Sequence, residues 1–434
     1  MVNYIFRVIG FYEDWANGRE LSESEIYEAS SLLGAPTRKL DVFLSRFRDV
    51  FGQVIEERCC EVGDGRVCIY SWSRKAFKRY FPAALDANGT IIFYARGEVK
   101  LISYPLHRAF DLGVRGVQLP NENPSMVTPR IDGWHVNLYW DPILNRWAFS
   151  TRYVLHNMVY VRGDLKIEEY GLTVNPIVSV AEDLASRMGL YQRLGEYKGW
   201  TFTLMIEGSE PATWVKGPPE MGRVEEYNLV LLTARKPSGE LLDPIESSRI
   251  AEALGLRSVA ERLLEVTPGI VEKAKESIEY PSLFLWYLSR GDKEHPEVYE
   301  VKSEVYEDYI NVIMGSNAKS YILLVTSGSA NLVSKLREKL GDQIVDETLQ
   351  RITELETVLR EAVTSNPEET RRLLRTKGLK QDVITSIFKA VEEGKAGRAL
   401  RILLSTVTEG WRVEDTPLII SNLVDDLRLT IRGL

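Results

Sequence analysis

The side chains in this sequence that could do chemistry are charged residues beside strand-like apolar runs. Arginine and lysine bind phosphate oxygens, arginine through two parallel hydrogen bonds, and a carboxylate on an apolar strand needs a partner. One arginine belongs to the tetrad Arg-Ile-Asp-Gly, which leads into the apolar run 136–140. The candidate site residues are Arg96, Arg130, Asp132, Gly133, Arg152, Glu207 and Lys302. The four basic residues among them, Arg96, Arg130, Arg152 and Lys302, would form a local cationic cleft if the fold brings them together.

Each candidate also has an ordinary structural interpretation when it is taken alone. Asp132 would begin a turn ahead of a strand, and Arg96 would stand in a hairpin turn. Arg152 would be a solvated strand residue, and Lys302 would protect the edge of a sheet. Glu207 is harder to explain in this way, because carboxylates are rarely buried on apolar strands without a partner.

Composition and charge limit the class of protein. The chain has 434 residues, of which 44% are hydrophobic and 27% are charged. These values are typical of globular proteins and argue against disorder or a fibre, and the length suggests two or three domains. The net charge of −8 excludes a protein that coats nucleic acid through bulk positive charge. Any contact with nucleic acid therefore needs a local basic patch.

Cysteine and histidine usage predicts neither a disulfide framework nor a metal site. The three cysteines, Cys59, Cys60 and Cys68, form no Cys-x-x-Cys pair, and the four histidines are scattered. The odd number of cysteines fits a reducing cytoplasm. No apolar run approaches the roughly 20 residues needed to cross a bilayer, and the N-terminus has no signal-peptide pattern. We therefore expect a cytoplasmic protein without a membrane segment.

Apolar periodicity predicts which segments position the candidates. Ser22-Glu-Ser-Glu has the form of a helix N-cap, and 236–240 has the composition of a turn. Helical spacing predicts helices at 40–51, 178–193 and 244–277. Strands are predicted at 91–95, 136–140, 147–151, 201–206, 229–233, 282–288 and 298–302. After a Gly-Ser tract at 327–329, helical spacing continues to the end of the chain.

These elements predict an α+β fold. We expect an N-terminal α/β segment, 1–85, packed on a central domain, 86–320, of antiparallel sheets flanked by helices. A helical C-terminal domain, 321–434, should follow.

Between about 90 and 310 the chain resembles the phage-type RNA ligase family of the covalent nucleotidyltransferase superfamily, in an apparently degenerate form. The matching stretches, in order, are YARGEVKLISYPLHRAFDLG, PRIDGWHVNLYWDP, WAFSTR, GWTFTLMIEGSEPATWV, EEYNLVLLTARKPSGE and YEVKSEVYEDY. The second is similar to the nucleotidyl motif Lys-x-Asp-Gly, and the last to Lys-x-Lys-Ser followed by Tyr. The resemblance covers about half the chain, and it implies a nucleotidyltransferase domain with the pocket between its sheets.

The resemblance also implies a chemistry and a role for each candidate. In the family, a lysine amine attacks the α-phosphorus of ATP, and the adenylate then activates a 5′-phosphate RNA end, with Mg²⁺ assisting. Arg130 occupies the position of that lysine, with Asp132 and Gly133 beside it. Arg96 would lie near the phosphates, Arg152 and Glu207 would face the ribose, and Lys302 would contact the α-phosphate.

Three positions depart from the family pattern. Arg130 replaces the nucleophilic lysine, and a guanidinium stays protonated and has no lone pair for attack. Glu300 replaces the first lysine of the last motif. The fourth motif, normally Glu-Gly ahead of an apolar strand, is best placed at Ser282 and Leu283, so its carboxylate is lost; Glu279 is near but poorly spaced.

Three interpretations of function remain open. The first is an RNA ligase-like protein that keeps a pocket for ATP or RNA ends, cannot adenylate itself, and acts as an RNA-binding or partner subunit. The second is an active ATP-dependent RNA ligase that joins 5′-phosphate and 3′-hydroxyl RNA ends. The third is a structural protein whose C-terminal helices pair with another copy or with an active ligase. The departures favour the first.

Overall fold

The protein divides into two compact units in a computed structural model, Met1–Ser303 and Glu304–Leu434. The structure describes residues 3–62, 64–73, 78–95, 97–155, 158–161, 164–167, 175–208 and 219–433. The division falls ahead of the boundary expected at 320, because the helices that follow Ser303 pack with the C-terminal helices. The boundary expected at 85 stays a prediction.

Helices pack on one face of a four-stranded sheet in the N-terminal region. Helices α1 to α4 are Tyr4–Ala16, Glu23–Leu32, Leu40–Gln53 and Pro82–Asp86. The N-terminal sheet has the order β1 (Ile55–Val62), β2 (Gly65–Trp72), β3 (Asn88–Ala95) and β4 (Glu98–Ser103). The predicted cap of α2 is confirmed, because Ser22 and Glu25 exchange hydrogen bonds in a capping box. The predicted helix at 40–51 is confirmed as α3.

A five-stranded central sheet carries most of the predicted strands. Its order is β13-β12-β11-β7-β8, and its neighbours are antiparallel except β12 and β13. The strands are β7 (Gly133–Asp141), β8 (Arg146–Ser150), β11 (Thr201–Glu207), β12 (Asn228–Arg235) and β13 (Arg257–Ser258). Strands β9 (Met158–Val161) and β10 (Asp164–Ile167) pair only with each other.

One face of the central sheet is apolar and covered by helices. These are α5 (Pro176–Arg187), α6 (Leu190–Arg193) and α7 (Pro244–Leu254). Buried side chains that alternate along the strands, including Val136, Leu138, Phe202 and Leu204, form this core. The period of two therefore places the residues between them on the opposite face.

The opposite, inner face of the central sheet is polar near its middle. Strand register aligns Ser150, Asn137, Thr203 and Thr233 in one row across β8, β7, β11 and β12. All four are at most 1% exposed. The N-terminal sheet packs over the neighbouring apolar residues of this face, where Ile69 and other side chains contact Tyr139, so the polar row lies between two sheets.

A four-stranded side sheet completes the first unit. Its order is β5 (Phe110–Asp111), β15 (Pro296–Lys302), β14 (Ser282–Gly291) and β6 (Met126–Pro129). Helix α8 (Ile270–Lys275) packs on this sheet. Both strands predicted at 282–302 are confirmed. Pairing of β6 with β14 brings the start of the Arg-Ile-Asp-Gly tetrad next to Ser282.

A buried polar network joins these layers. The Asp86 carboxylate, 0% exposed, accepts a 2.6 Å hydrogen bond from the backbone N–H of Tyr4. Nε2 of His295 lies 3.0 Å from Asp86 Oδ1 and 2.6 Å from the hydroxyl oxygen of Tyr104. The guanidinium of Arg235 lies 3.7 Å from the centroid of the Tyr104 ring. The network thus ties α1, α4, β12 and the turn between β14 and β15 to one carboxylate.

Two predicted helices are shorter than their periodicity indicated. The helix expected at 178–193 is interrupted at Gly189, whose φ is +66°. The expectation of a helix throughout 244–277 is wrong. Gly255 ends α7 in a left-handed conformation, and Ser258 then caps a short 3₁₀ helix, Val259–Arg262. The predicted turn at 236–240 is confirmed by a hydrogen bond from the Lys236 N–H to the carbonyl of Glu240.

The structure also corrects the expectation about cysteines. Cys59 and Cys68 face each other across β1 and β2, with their Cα atoms 4.1 Å apart, and their sulfurs form a disulfide. The odd number of cysteines concealed this pair, because strand register decides which residues meet. Disulfides are uncommon in reducing compartments, so a cytoplasmic location stays a prediction.

The second unit is helical, as predicted. Its helices α9 to α16 are Tyr306–Ile313, Ala318–Val325, Ala330–Leu340, Asp342–Ser365, Pro367–Thr376, Gln381–Glu392, Ala396–Val407 and Thr416–Arg432. Their buried apolar side chains, among them Leu336, Leu355, Leu403 and Leu427, form its core. Within the described ranges, none of the helices is long and apolar enough to cross a membrane. The fold is α+β, with sheets in the first unit and helices in the second.

We expect Gly133→Ala to destabilise the first unit, because a Cβ at this position would lie 2.2 Å from the carbonyl oxygen of Ile206. β7 and β11 are hydrogen-bonded there, so the strands would have to separate. The expected loss of unfolding free energy is about 1–3 kcal/mol, measured by urea denaturation. Gly10→Ala is the control, since Gly10 lies within α1 with no atom within 4 Å of a Cβ. Equal losses in both variants would contradict the steric explanation.

Candidate functional site

Arg130 is the first residue after β6, and it takes part in a small polar cluster. Its backbone N–H donates a 2.9 Å hydrogen bond to the carbonyl of Ser282. Its Nη1 lies 3.2 Å from Oε1 of Glu300, and the hydroxyl of Ser282 donates to the same oxygen at 2.7 Å. The Arg130 side chain is 49% exposed and that of Glu300 is 16% exposed. A partly buried carboxylate therefore holds the guanidinium of Arg130, and the predicted role of this residue at a nucleophile position stays a prediction.

Arginine and aromatic side chains alternate in a row of contacts close to this cluster. The members of this arginine–aromatic row, in order, are Tyr80, Arg108, Trp72, Arg152, Tyr153 and Arg58. The Arg108 guanidinium lies 4.2 Å from the Tyr80 ring centroid and 4.3 Å from that of Trp72. The Arg152 guanidinium lies 4.4 Å from the Trp72 centroid and 4.5 Å from that of Tyr153. Cation–π attraction is effective at these distances.

The row continues to Lys302 through hydrogen bonds. The Tyr80 hydroxyl accepts a 2.9 Å hydrogen bond from the backbone N–H of Asp111. The Asp111 carboxylate binds the ammonium of Lys302 at the end of β15. Burial lowers the pKa of the Arg108 guanidinium, while Tyr80 and the charges of Asp111 and Glu300 oppose that shift.

Burial, assisted by neighbouring positive charge, lowers the pKa of two side chains in this region. Burial, followed by the charges of Arg152 and Arg130, lowers the pKa of His135 to about 3. Burial is also the main cause that lowers the pKa of Arg152, and the charges of Arg130 and Arg108 act in the same direction. His135 is therefore neutral at physiological pH, and the excess positive charge remains on the arginines.

The structure brings together some of the predicted residues but not all of them. Arg130 and Arg152 both act on His135 of β7, and Lys302 reaches the same region through Asp111. Asp132 is buried. Arg96 lies outside the described residues, so its predicted place near the phosphates stays a prediction.

Glu207 forms a separate ion pair. Its carboxylate, 6% exposed, accepts hydrogen bonds from both terminal nitrogens of Arg262, one of them at 2.9 Å. Arg257 lies 3.9 Å away. The prediction that this carboxylate needs a partner is confirmed, and the partner is an arginine that the sequence did not single out. Its predicted contact with a ribose stays a prediction.

The polar row of the inner face contains groups without a hydrogen-bond partner. Among the described residues, both amide atoms of Asn137 and the hydroxyls of Ser150 and Thr233 are buried and have no hydrogen-bond partner. A Cβ on Gly89 would lie 2.9 Å from Nδ2 of Asn137, so β3 closely approaches the row. Buried polar groups of this kind are costly to leave unsatisfied.

Three carboxylates close to the candidate residues, which could have held the Mg²⁺ ion that the resemblance implies, are already paired. Glu300, Asp111 and Glu207 each bind a basic side chain. Mg²⁺ needs carboxylate oxygens that are open to it. Within the described ranges, the residues close enough for a three-ligand metal group are Glu57, Cys59 and Cys68, and the two sulfurs are joined in the disulfide.

Sequence analysis missed most of the arginine–aromatic row. Trp72 and Tyr80 belong to the N-terminal segment and are distant in sequence from the arginines that they contact, Arg108 and Arg152 for Trp72 and Arg108 for Tyr80. Arg108 stands in a basic-aromatic stretch, His-Arg-Ala-Phe, that the resemblance included without assigning a role to the arginine. Basic and aromatic residues alternating near a nucleotidyl motif were the available signal.

We expect His135→Gln to reduce the pH dependence of stability. The pKa of His135 is about 3 in the folded protein and about 6.5 in an unfolded chain, so between these values only the unfolded chain binds the proton. Stability from neutral His135 is complete above pH 6.5 and is lost as the pH falls toward 3. As the pH falls through that range, the unfolding free energy of the variant should decrease less steeply than that of the wild type. The two slopes should differ by up to about 1.4 kcal/mol per pH unit. Urea denaturation at several pH values measures this, and an imidazole titration near the ordinary pKa would contradict it.

Comparisons with known proteins give distant structural similarities. No protein-family model matches the chain. No curated protein matches it either. Two crystal forms of an archaeal ATP-dependent RNA ligase are 14% identical, with TM-scores of 0.40 and 0.39, over 72% of this chain and 79% of that chain. A lysine-to-alanine variant of Naegleria gruberi RNA ligase, solved with ATP and Mn, is 11% identical with a TM-score of 0.30, over 59% of this chain and 98% of that chain.

Proposed function

We propose that this protein binds nucleotides and RNA ends in a cationic cleft without forming a lysyl-adenylate. The observation that carries the proposal is the contact between three residues that depart from the ligase motifs. Arg130, Ser282 and Glu300 come from three different motifs, and they are hydrogen-bonded to one another. Substitutions that meet in one cluster are better explained by a rebuilt site than by independent accidents.

The cluster accounts for the loss of the nucleophile. A guanidinium remains protonated in proteins, and that of Arg130 lies 3.2 Å from the carboxylate of Glu300. Covalent attack on phosphorus needs a free lone pair. The same guanidinium can still hold a phosphate through parallel hydrogen bonds, so binding survives where adenylation does not.

The arginine–aromatic row supports the binding of RNA. Single-stranded nucleic acid binds where basic groups meet the phosphates and aromatic rings stack on the bases. The row supplies both kinds of group on a chain of net charge −8. ATP is the small ligand that the resemblance suggests for the adjoining polar row. In this role the protein would be an RNA-binding subunit of an active ligase or of a homodimer, in the cytoplasm.

Adenylation is the direct test of the lost nucleophile. Wild-type protein incubated with α-labelled ATP and Mg²⁺ should form no labelled adduct. Arg130→Lys alone should also fail, because Glu300 would hold the new ammonium protonated. Arg130→Lys combined with Glu300→Lys should give an adduct, since neighbouring positive charge favours the neutral amine. An adduct on the wild type would favour the active-ligase interpretation.

RNA binding tests the cleft itself. Arg152→Gln should weaken binding of a short 5′-phosphorylated RNA by roughly tenfold to a hundredfold, as expected for the loss of a charged hydrogen bond. Its dependence on salt should also become shallower. Arg187→Gln is the matched control, because Arg187 pairs with Asp183 on α5 and touches no member of the row. Fluorescence anisotropy measures the affinity and its dependence on salt. Equal losses of affinity in Arg152→Gln and Arg187→Gln would contradict binding at the arginine–aromatic row.

A further inference from the structure

A cavity on the other face of the central sheet has no part in the proposed cleft. It has a volume of about 440 Å³ and lies between the edge of the sheet and helices α5 and α6. Its lining residues are Trp140, Arg146, Trp147, Glu182, Ser186 and Tyr191. The alternation along β7 puts Trp140 on the opposite face from His135 and Asn137. The volume is within the usual range for small-molecule sites.

The walls of this cavity, which we call the tryptophan cavity, are aromatic. The Trp140 and Trp147 rings are nearly perpendicular, at 77°, with centroids 5.8 Å apart. Tyr191 forms a third aromatic side, and burial raises the pKa of its hydroxyl, so the ring is neutral. Aromatic surfaces at different angles suit a flat ligand that stacks on one ring and meets the edge of another.

One side of the cavity presents a donor next to an acceptor. Nη2 of Arg146 lies 3.5 Å from Oε1 of Glu182 without forming a hydrogen bond, and Nε of Arg146 has no partner among the described residues. Burial raises the pKa of the Glu182 carboxyl, while the charge of Arg146 opposes that shift. Both side chains are partly exposed, at 34% and 27%. A guanidinium and a carboxylate, both partly exposed, therefore line the same ligand-sized space.

The mixed charge limits the chemistry of the ligand. A simple anion would meet Glu182, and a simple cation would meet Arg146 and the ammonium of Lys198, which lies 3.9 Å from the Trp140 ring centroid. A neutral aromatic heterocycle with adjacent donors and acceptors avoids both penalties. It also gains stacking on the aromatic side chains.

We propose that the tryptophan cavity binds a single nucleobase, and guanine in preference to the other bases. Guanine offers two neighbouring N–H donors to the carboxylate of Glu182 and carbonyl and ring-nitrogen acceptors to Arg146. Adenine, cytosine and uracil present fewer donors on one edge. The base comes either from a free nucleoside or nucleotide or from one unstacked residue of an RNA strand. The site is independent of the cleft that contains Arg130.

Binding of nucleosides to the full-length protein tests this inference. Guanosine titrated by calorimetry should bind at least about tenfold more tightly than adenosine, cytidine or uridine. Glu182→Gln keeps the shape of the side chain and should weaken guanosine binding by about tenfold. Asp183→Asn is the matched control on the same helix, because Asp183 pairs with Arg187 away from the cavity. It should leave the affinity unchanged.

Two further arms identify the source of the base and separate the sites. The first arm uses a tetranucleotide that contains one guanosine. If it binds more tightly than guanosine, and binds more weakly to the Glu182→Gln variant, the site receives a base from an RNA strand. If the tetranucleotide and guanosine bind with equal affinity, the site receives the free nucleoside. Arg152→Gln should leave guanosine binding intact, so a failure of the cleft would not affect this result. Absence of saturation at millimolar guanosine, or equal effects of Glu182→Gln and Asp183→Asn, would overturn the proposal.

Discussion

The first unit depends on one buried carboxylate. Asp86 is fully enclosed and binds groups from α1, from the segment after β4 and from the turn between β14 and β15. An unpartnered carboxylate in such a place would cost several kcal/mol, so these segments must meet for the chain to fold. The N-terminal, central and side sheets are held in mutual position in this way. The arginine–aromatic row, which takes residues from all three regions, is a product of that constraint.

The central sheet separates two chemically different surfaces. Its inner face carries buried polar groups, and burial together with the charges of nearby arginines lowers the pKa of His135 there. Its outer face is an apolar core that opens at one edge into the tryptophan cavity. The alternation of side chains along β7 allows one strand to supply both surfaces, His135 to one and Trp140 to the other. Neither surface needs the second unit for its described contacts.

Periodicity was sufficient to predict the class of fold and most of the strands, because alternation and helical spacing are local signals. It failed at 255–269, where a left-handed glycine and a capped 3₁₀ turn ended a pattern that looked helical. Periodicity does not predict residue contacts that depend on how the strands pair. Three contacts join residues that the sequence alone does not relate. They are Cys59 with Cys68, Glu207 with Arg262, and Arg152 with Trp72. Arg130 was identified from its motif, but its contact with Glu300 required the structure.

The mutual contacts of Arg130, Ser282 and Glu300 make the three residues interdependent. Loss of the Glu300 carboxylate would remove both the ion pair of Arg130 and the acceptor of the Ser282 hydroxyl. A change at one of these positions therefore alters the surroundings of the other two, and the effects of combined substitutions on stability should not add, as is usual for residues that share one hydrogen-bonded network.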